Sequence, residues 1–182
     1  MDARFVLLLR GVNVGGRNRL AMKDLAGALE GAGATRVTTL LQSGNALFWA
    51  EPNRAPRLAG AAMRALGARA GFEPRFTLRS GAEFVRVARA HPCAAKGRDP
   101  ARLHVGFLTT KPTVAAAREL AARVGADESL LVKGREVFVH YGRGVGRSKL
   151  TADLFDRTLA TMCTMRNWNT VCALAALASD EH

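Results

Sequence analysis

The order of apolar runs and helical periods restricts the fold of this chain more than any other feature, because the same order occurs twice. In the first half, an apolar strand precedes a helical period, two β-rich runs around a Ser-Gly turn, a second helical period and a further strand. The second half repeats this order. We therefore predict an α+β protein of two tandem ferredoxin-like (βαββαβ) subdomains, each followed by an extra helix.

The repeat also predicts domain boundaries. The first subdomain and its helix cover residues 1–90, and the second subdomain and the C-terminal helix cover residues 101–182. Residues 91–100, which contain two prolines, a glycine and mixed charge, are the predicted linker. The predicted strands are residues 4–9, 36–41, 46–50, 73–79, 103–109, 129–133, 136–141 and 160–165.

Charge points to an anionic partner. The 182 residues include 27 Lys and Arg against 15 Asp and Glu, a net charge of +12, and most of the excess lies in the first 100 residues. Such a balance favours nucleic acid, nucleotides or other polyanions. The alternative is a GC-rich coding bias, because most of the basic residues are arginine and the chain is rich in Ala and Gly.

Hydropathy and the spacing of Cys and His restrict the expected cellular location of the protein and its possible cofactors. No apolar run approaches the roughly 18 residues that span a bilayer, so we expect a soluble, cytoplasmic protein without a membrane partner. The three cysteines form no CxxC pair, and His91 near Cys93 is too small a set for a metal site. We predict no metal, and the sequence indicates neither a cofactor nor an oligomeric state.

The first candidate loop, residues 10–19, lies between a predicted strand and a helical period. Backbone N–H groups before a helix can bind an anion, and two glycines with nearby arginines would assist. Neither GxxxxGK[ST] nor GxGxxG is present, so an exposed turn is the alternative. The candidate ligand residues here are Arg10, Asn13, Gly15, Gly16, Arg17 and Asn18.

The second candidate loop, residues 142–149 (GRGVGRSK), also follows a strand and precedes a helical period. Its candidate ligand residues are Arg147, Ser148 and Lys149, and its alternative is a flexible basic connector with a helix cap at Ser148 or Thr151. Two polar clusters complete the set. They contribute Ser43 and Asn45 in a predicted hairpin turn, and Arg166, Asn167 and Asn169 at the start of the last helix. Turn formation and helix capping are their alternatives.

Base stacking receives little support from the sequence. RNA-recognition modules share the βαββαβ order and stack bases on strand aromatics. Here Glu136 occupies the position of the first stacking aromatic, and the adjacent Phe48 and Trp49 must point to opposite faces of a strand. The sequence therefore predicts a poor stacking platform.

Four stretches together carry a family resemblance: LLRGVNVGGRNRLAMKDL, LLQSGNALF, YGRGVGRSKL and TMRNWNTV. With these stretches in this order, the chain resembles the bacterial domain-of-unknown-function 1697 family from end to end. The resemblance implies a cytosolic protein of two ferredoxin-like subdomains and supplies no function. His91-Pro92-Cys93 and Met165 depart from the family pattern, and both are interpreted as changes in packing.

Three hypotheses of function follow. The leading one is binding of a phosphate-bearing ligand, a nucleotide or nucleic acid, through the Gly/Arg-rich loops. The second is an enzyme for a small anionic substrate at a site where the subdomains meet, although no catalytic residue is identified and the sequence does not decide whether the protein is an enzyme. The third is a protein-interaction module that uses a free sheet face.

Overall fold

The computed structural model describes residues 1–179, which form two compact units. The N-terminal unit comprises Met1–Arg86 and, within the described residues, 174–179, and the C-terminal unit comprises Val87–Ala173. The mixed α and β content and two four-stranded antiparallel sheets confirm the predicted α+β class.

The N-terminal unit follows the predicted β-α-β-β-α-β order. Its sheet order is β2-β3-β1-β4, with every neighbouring pair antiparallel, which is compatible with a ferredoxin-like subdomain. The elements are β1 (Ala3–Arg10), α1 (Met22–Gly31), β2 (Thr35–Leu40), β3 (Asn45–Ala50), α2 (Ala55–Ala70), β4 (Arg75–Ser80) and α3 (Gly81–Ala88), whose last two residues belong to the C-terminal unit.

Side chains along β1 alternate between the two faces of the sheet, and this alternation explains how the unit forms its core. Phe5, Leu7 and Leu9 point to one face of the sheet and pack in a buried cluster with Leu25 and Leu29 of α1. The two leucines are four residues apart, so they lie on one face of the helix. Each fully buried Leu contributes about 1.5–3 kcal/mol to folding, so this face contributes substantially to the stability of the unit.

The C-terminal unit repeats the arrangement, with sheet order β6-β7-β5-β8 and antiparallel neighbours. Its core contains Leu120, Val137, Val139 and Phe155. The elements are β5 (Leu103–Leu108), α4 (Val114–Ala121), β6 (Ser129–Lys133), β7 (Glu136–His140), α5 (Ala152–Leu159), β8 (Cys163–Asn167) and α6 (Trp168–Ser179), which extends into the N-terminal unit.

The sheet face turned away from the core helices is also buried in the central strands of both units. In the N-terminal unit, Val6 and Leu8 are fully buried. In the C-terminal unit, Val105, Phe107 and Phe138 are buried in the same way. The central strands therefore present no exposed apolar face of the kind on which the interaction-module hypothesis depends.

The last strand begins three residues later than predicted. Ala160 adopts a left-handed conformation with φ of 50° at the end of α5, so residues 160–162 form the turn and not the strand. The Asp156 side chain accepts a hydrogen bond from the Cys163 backbone N–H at 2.7 Å and fixes the first residue of β8. Apolar residues occupy both turn and strand here, so hydrophobicity alone could not place the boundary.

Side-chain hydrogen bonds cap the starts of α3 and α6. Glu83 accepts from the Ser80 N–H at 2.9 Å, and Ser80 Oγ accepts from the Glu83 N–H at 3.3 Å, which is a complete capping box. Asn167 Oδ1 accepts from the Asn169 N–H at 3.0 Å, so Asn167 caps α6 and Trp168 begins it.

Candidate functional site

The first candidate loop forms a small β-hairpin at the end of β1. The Asn13 N–H donates to the Asn18 carbonyl, and the Arg17 N–H donates to the Val14 carbonyl, both at 3.1 Å. Gly15 and Gly16, at the tip, have φ of 58° and 74°. Two successive positive φ angles are typical of a type I′ turn. The loop is therefore an ordered hairpin and not a cradle formed by a helix N-terminus.

Asn13 joins this hairpin to the rest of the unit. Its side chain donates to the Leu20 carbonyl at 2.9 Å and accepts from the Leu20 N–H at 2.8 Å. It also donates to the Gln42 carbonyl at 2.7 Å. The Asn18 amide donates to the Gly11 carbonyl at 2.9 Å. Both side chains therefore already have structural partners, and their predicted contact with a ligand stays a prediction.

The second polar cluster of this unit, the turn between β2 and β3, lies against the opening loop. The Leu9 N–H donates to the Gly44 carbonyl at 2.7 Å. The Asn45 amide is buried and donates to the Leu40 carbonyl at 2.8 Å and to Ser43 Oγ at 3.0 Å. Two of the four predicted clusters therefore meet in the N-terminal unit, and their amides stabilise the turn.

The charged residues of the opening loop differ in exposure. Arg17 and Arg19 are exposed on the hairpin, whereas Arg10 is half-buried at the end of β1 and has a partner within the protein. An exposed guanidinium is available to a phosphate from solution. Within this loop, Arg17 is the predicted ligand residue whose charge is best placed for an external anion.

The loop of residues 142–149 leads from β7 to α5 as a short 3-10 turn followed by extended backbone. Tyr141 donates its hydroxyl to the Leu150 carbonyl at 3.0 Å, and Ser148 Oγ accepts from the Leu150 N–H at 3.0 Å. Burial raises the pKa of Tyr141, so its hydroxyl stays a donor. Thr151 caps α5 by accepting from the Leu154 N–H at 3.2 Å. Of the two predicted caps, Thr151 is the one that caps the helix.

This loop forms one wall of an open cleft of about 390 Å³, which we call the basic cleft. The connection between α4 and β6 forms the other wall. The lining residues are Arg123, Gly125, Ala126, Asp127, Glu128, Arg143, Gly144, Arg147, Ser148 and Lys149. Four cationic side chains thus face two carboxylates, and none of the lining residues is aromatic.

Salt bridges distinguish the four cations of the cleft. Arg143 pairs with Asp127 at 2.9 Å, and Arg123 pairs with Glu119 at 2.8 Å. Within residues 1–179, Arg147 and Lys149 are exposed and form no salt bridge. Among the cations of the cleft, these two are therefore the ones that no carboxylate pairs with directly in the described part of the chain.

The fourth predicted cluster lies at the end of β8. Arg166 is buried, and desolvation lowers its pKa to about 10. Its guanidinium donates to the Met165 carbonyl at 2.9 Å. Asn167 donates to the Ala101 carbonyl at 3.0 Å, and the Asn169 side chain is exposed at the start of α6. None of the three lines the basic cleft.

Arg166 has an equivalent in the N-terminal unit that the sequence analysis missed. Arg79 is also buried, and it donates to the carbonyl of the preceding residue, Leu78, at the same 2.9 Å. Arg79 pairs with Val6 on the first strand of its sheet, and Arg166 pairs with Val105 on the first strand of the other. Each arginine is the penultimate residue of an edge strand that leads directly into a helix. The short motifs Leu-Arg-Ser and Met-Arg-Asn are the only sequence signal for this repeat.

The residues that depart from the family pattern pack inside the C-terminal unit, as interpreted from the sequence. The His91 ring makes edge contacts with Phe138 and Trp168, with ring centroids 5.4 and 4.9 Å apart. Met165 packs against the core cluster, where its sulfur lies 3.6 Å from Cys163 Sγ.

Among residues 1–179, no three His, Cys, Asp or Glu side chains come together as a set that could hold a metal ion. No helix within the same range has the length and apolar character to cross a membrane.

These features define an α+β protein of two antiparallel-sheet units with exposed basic loops. The chain belongs to the DUF1697 family, described as a protein of unknown function, whose sequence model matches residues 2–138. Among solved structures, it is similar to the conserved bacterial protein SP0830 from Streptococcus pneumoniae, with a TM-score of 0.71 and 24% identity. The similarity covers 98% of this chain and 100% of that one and concerns the fold alone. Comparison with curated proteins gives no match.

Proposed function

We propose that the protein binds the phosphate backbone of a nucleic acid through the basic cleft. The observation that carries this proposal is the pair Arg147 and Lys149, two exposed cations without a carboxylate partner in the described chain, on the wall of an open cleft. Exposed Lys and Arg side chains bind phosphates and release the counterions condensed on them.

The shape and lining of the cleft favour a backbone over a free nucleotide. A small-molecule site is usually enclosed and mainly apolar, with a few polar groups that fix the ligand. The basic cleft is open, and apart from Ala126 and its glycines it is lined by polar and charged side chains. Such a surface provides charge for a phosphate and no aromatic ring for a base.

A salt titration tests this proposal. Binding of a fluorescently labelled oligonucleotide is measured by anisotropy between about 50 and 200 mM salt, where phosphate contacts strongly reduce affinity. The double variant Arg147→Gln/Lys149→Gln removes both free cations. We expect weaker binding and a slope of log K against log salt reduced by about 2, one unit for each lost phosphate contact.

A matched control separates a site from a general effect of charge. Arg157→Gln/Lys133→Gln removes the same charge from exposed positions of the same unit outside the cleft. We expect this control to keep nearly all of the affinity and the original slope. Equal losses in the two double variants, or no binding by the unmodified protein, would overturn the proposal.

A further inference from the structure

The C-terminal unit has an open groove of about 310 Å³ between helix α4 and strand β6. Val114, Ala117 and Ala121 line it at the spacing i, i+3 and i+7, so they form one stripe along α4. Val114 is 68% exposed. Another side of the helix packs against the core through Ala116 and Leu120. The helix therefore carries a second apolar stripe, which the core of the unit does not use.

Strand β6 provides the other wall of this groove and a free backbone edge. It is the last strand of its sheet, and residues Ser129–Lys133 all pair with β7 without a shift of register. In an antiparallel ladder, alternate residues turn their N–H and C=O groups away from the paired strand. Within the described chain, residues 129–133 make no backbone hydrogen bond outside this ladder. The outer edge of β6 can therefore accept a further strand.

The equivalent edge of the N-terminal unit is irregular. There, the pairing of β2 with β3 shifts register between Thr35 and Thr38, and Arg36 inside this stretch has φ of 49°. Bulges and similar irregularities protect sheet edges from pairing with other strands. Strand β6 contains neither a register shift nor a proline, and its Leu131 is 44% exposed. Of the two equivalent edges, the one beside the apolar groove is thus the one that is regular enough to pair.

Charge distinguishes between the strands that could occupy this edge. Lys111 and Arg118 line the groove and are exposed, and within residues 1–179 neither forms a salt bridge. Among the described residues, no Asp or Glu lines the groove. A second copy of β6 would bring no acid within Ser129–Lys133 and would add the charge of Lys133. An acidic strand therefore complements the groove better than a second copy of this chain does.

We propose that this groove binds an extended acidic segment of a partner protein, which adds to β6 as a further strand of the four-stranded sheet. Every second side chain of such a segment faces α4. Aliphatic side chains at these positions pack on Val114, Ala117 and Ala121, and acidic ones pair with Lys111 and Arg118. The groove shares no lining residue with the basic cleft, so this inference does not rest on the proposed function.

Selection from a peptide library tests the chemistry of the partner. Random displayed peptides of about seven residues, a typical strand length, are selected on the full chain. We expect the enriched peptides to combine aliphatic with acidic residues and to lack Lys and Arg. Enrichment of basic peptides, or of no peptide, would overturn the inference.

Methylation of the peptide backbone tests the addition of a strand without any change in the protein. One version of a selected peptide is N-methylated at its odd positions and another at its even positions. Only one of the two sets of N–H groups can face β6. We expect about tenfold weaker binding, measured by fluorescence anisotropy, for one version and little change for the other. Equal effects of the two versions would exclude pairing with the strand.

Two matched variants locate the binding site on α4. Ala121→Glu places a carboxylate in the groove, and Ala115→Glu places the same group at an exposed position of the same helix outside it. We expect about tenfold weaker peptide binding in Ala121→Glu, through charge repulsion and obstruction, and unchanged binding in Ala115→Glu. Lys111→Gln/Arg118→Gln should also weaken the binding of acidic peptides. Equal losses in the two alanine variants would place the peptide elsewhere and contradict the proposal.

The oligomeric state of the full chain tests the alternative occupant. Light scattering at increasing protein concentration is compared with and without the selected peptide. We expect the same mass in both cases, because the groove is free for the peptide. A dimer that dissociates when the peptide is added, or in Ala121→Glu, would assign this edge to a second copy of the chain and overturn the proposal.

Discussion

Gly142 packs against the backbone of Asp127 so closely that a β-carbon at position 142 would lie 2.1 Å from the Asp127 carbonyl oxygen. The two residues belong to opposite walls of the region around the basic cleft, since Asp127 lines one wall and Gly142 begins the loop that forms the other. This contact fixes the spacing between the walls. Position 142 must also be glycine, because a β-carbon there would overlap the Asp127 backbone.

We expect Gly142→Ala to destabilise the C-terminal unit by about 1–3 kcal/mol, since the backbone must move to accept the methyl group. Gly146→Ala is the matched control, because a β-carbon there meets no atom within 4 Å. That variant should be neutral or slightly stabilising. Urea unfolding of the two variants measures the difference. Equal stabilities would show that the contact between positions 142 and 127 does not constrain the loop.

A second glycine pair separates backbone strain from steric overlap in the N-terminal unit. Gly44 and Gly16 have nearly the same φ, 77° and 74°. A β-carbon at position 44 would lie 2.6 Å from Leu9 Cβ and 2.7 Å from Val12 Cγ2, whereas one at position 16 meets nothing within 4 Å. The two positions therefore differ in packing although their φ angles are nearly equal.

We expect Gly16→Ala to cost about 1–2 kcal/mol, the strain of a left-handed alanine. Gly44→Ala should cost about 2–5 kcal/mol, because overpacking against β1 adds to the same strain. Thermal or urea unfolding provides both values. If Gly16→Ala proved as costly as Gly44→Ala, the contact of the turn with Leu9 and Val12 would contribute nothing.

Buried histidines predict that the protein loses stability in mild acid. Burial lowers the pKa of both His91 and His104 below the ordinary value of 6.5. Charge repulsion from His140 lowers the pKa of His91 further, and repulsion from His91 does the same to His104. His140 behaves in the same way, because burial and the guanidiniums of Arg98 and Arg102 lower its pKa. Arg98 Nη1 lies 2.6 Å from His140 Nδ1, which must accept the hydrogen bond and stay unprotonated.

The unfolded chain binds protons at these histidines more readily than the folded protein does, so stability rises with pH in this range. Above a pH of about 6.5, the pKa of histidine in the unfolded chain, the rings are neutral in both states and the free energy of unfolding is at its full value. It decreases as the pH falls from there toward the lower pKa values of the folded protein. Urea unfolding at constant ionic strength, from about pH 7.5 to about pH 5.5, should show this decrease. The variant His91→Phe should flatten the profile, since an aromatic ring replaces the titrating one between Phe138 and Trp168. A profile that rises toward acid would contradict the assignment.

The elements of the fold followed from hydrophobic periods and turn residues, because these are local properties of the chain. The limits of β1 and β3 were predicted within one residue, and Ser80 and Glu83 have in the sequence the spacing of the capping box that the structure contains. The start of β8 was predicted three residues too early, because it depends on a hydrogen bond between Asp156 and Cys163, which are seven residues apart.

The candidate sites were harder to predict, because they depend on which surfaces meet. The roles of Asn13 and Asn45 in holding turns could not be distinguished from ligand binding by composition. The left-handed backbone of Arg36 could not be predicted either, because the residue begins the β-rich run 36–41 that predicts an ordinary strand. Its unusual φ arises from an irregular pairing between two strands, and no local pattern encodes that.

Arg79 and Arg166 occupy equivalent positions in the two halves of the chain, whereas the basic loops do not. Each half keeps a buried cation at the same point of its framework, yet the two basic loops occupy different connections, one after β1 and one after β7. The framework is thus symmetric and its surface chemistry is not. In a protein built in this way, the sequence of one basic loop can change while the framework of both halves stays the same.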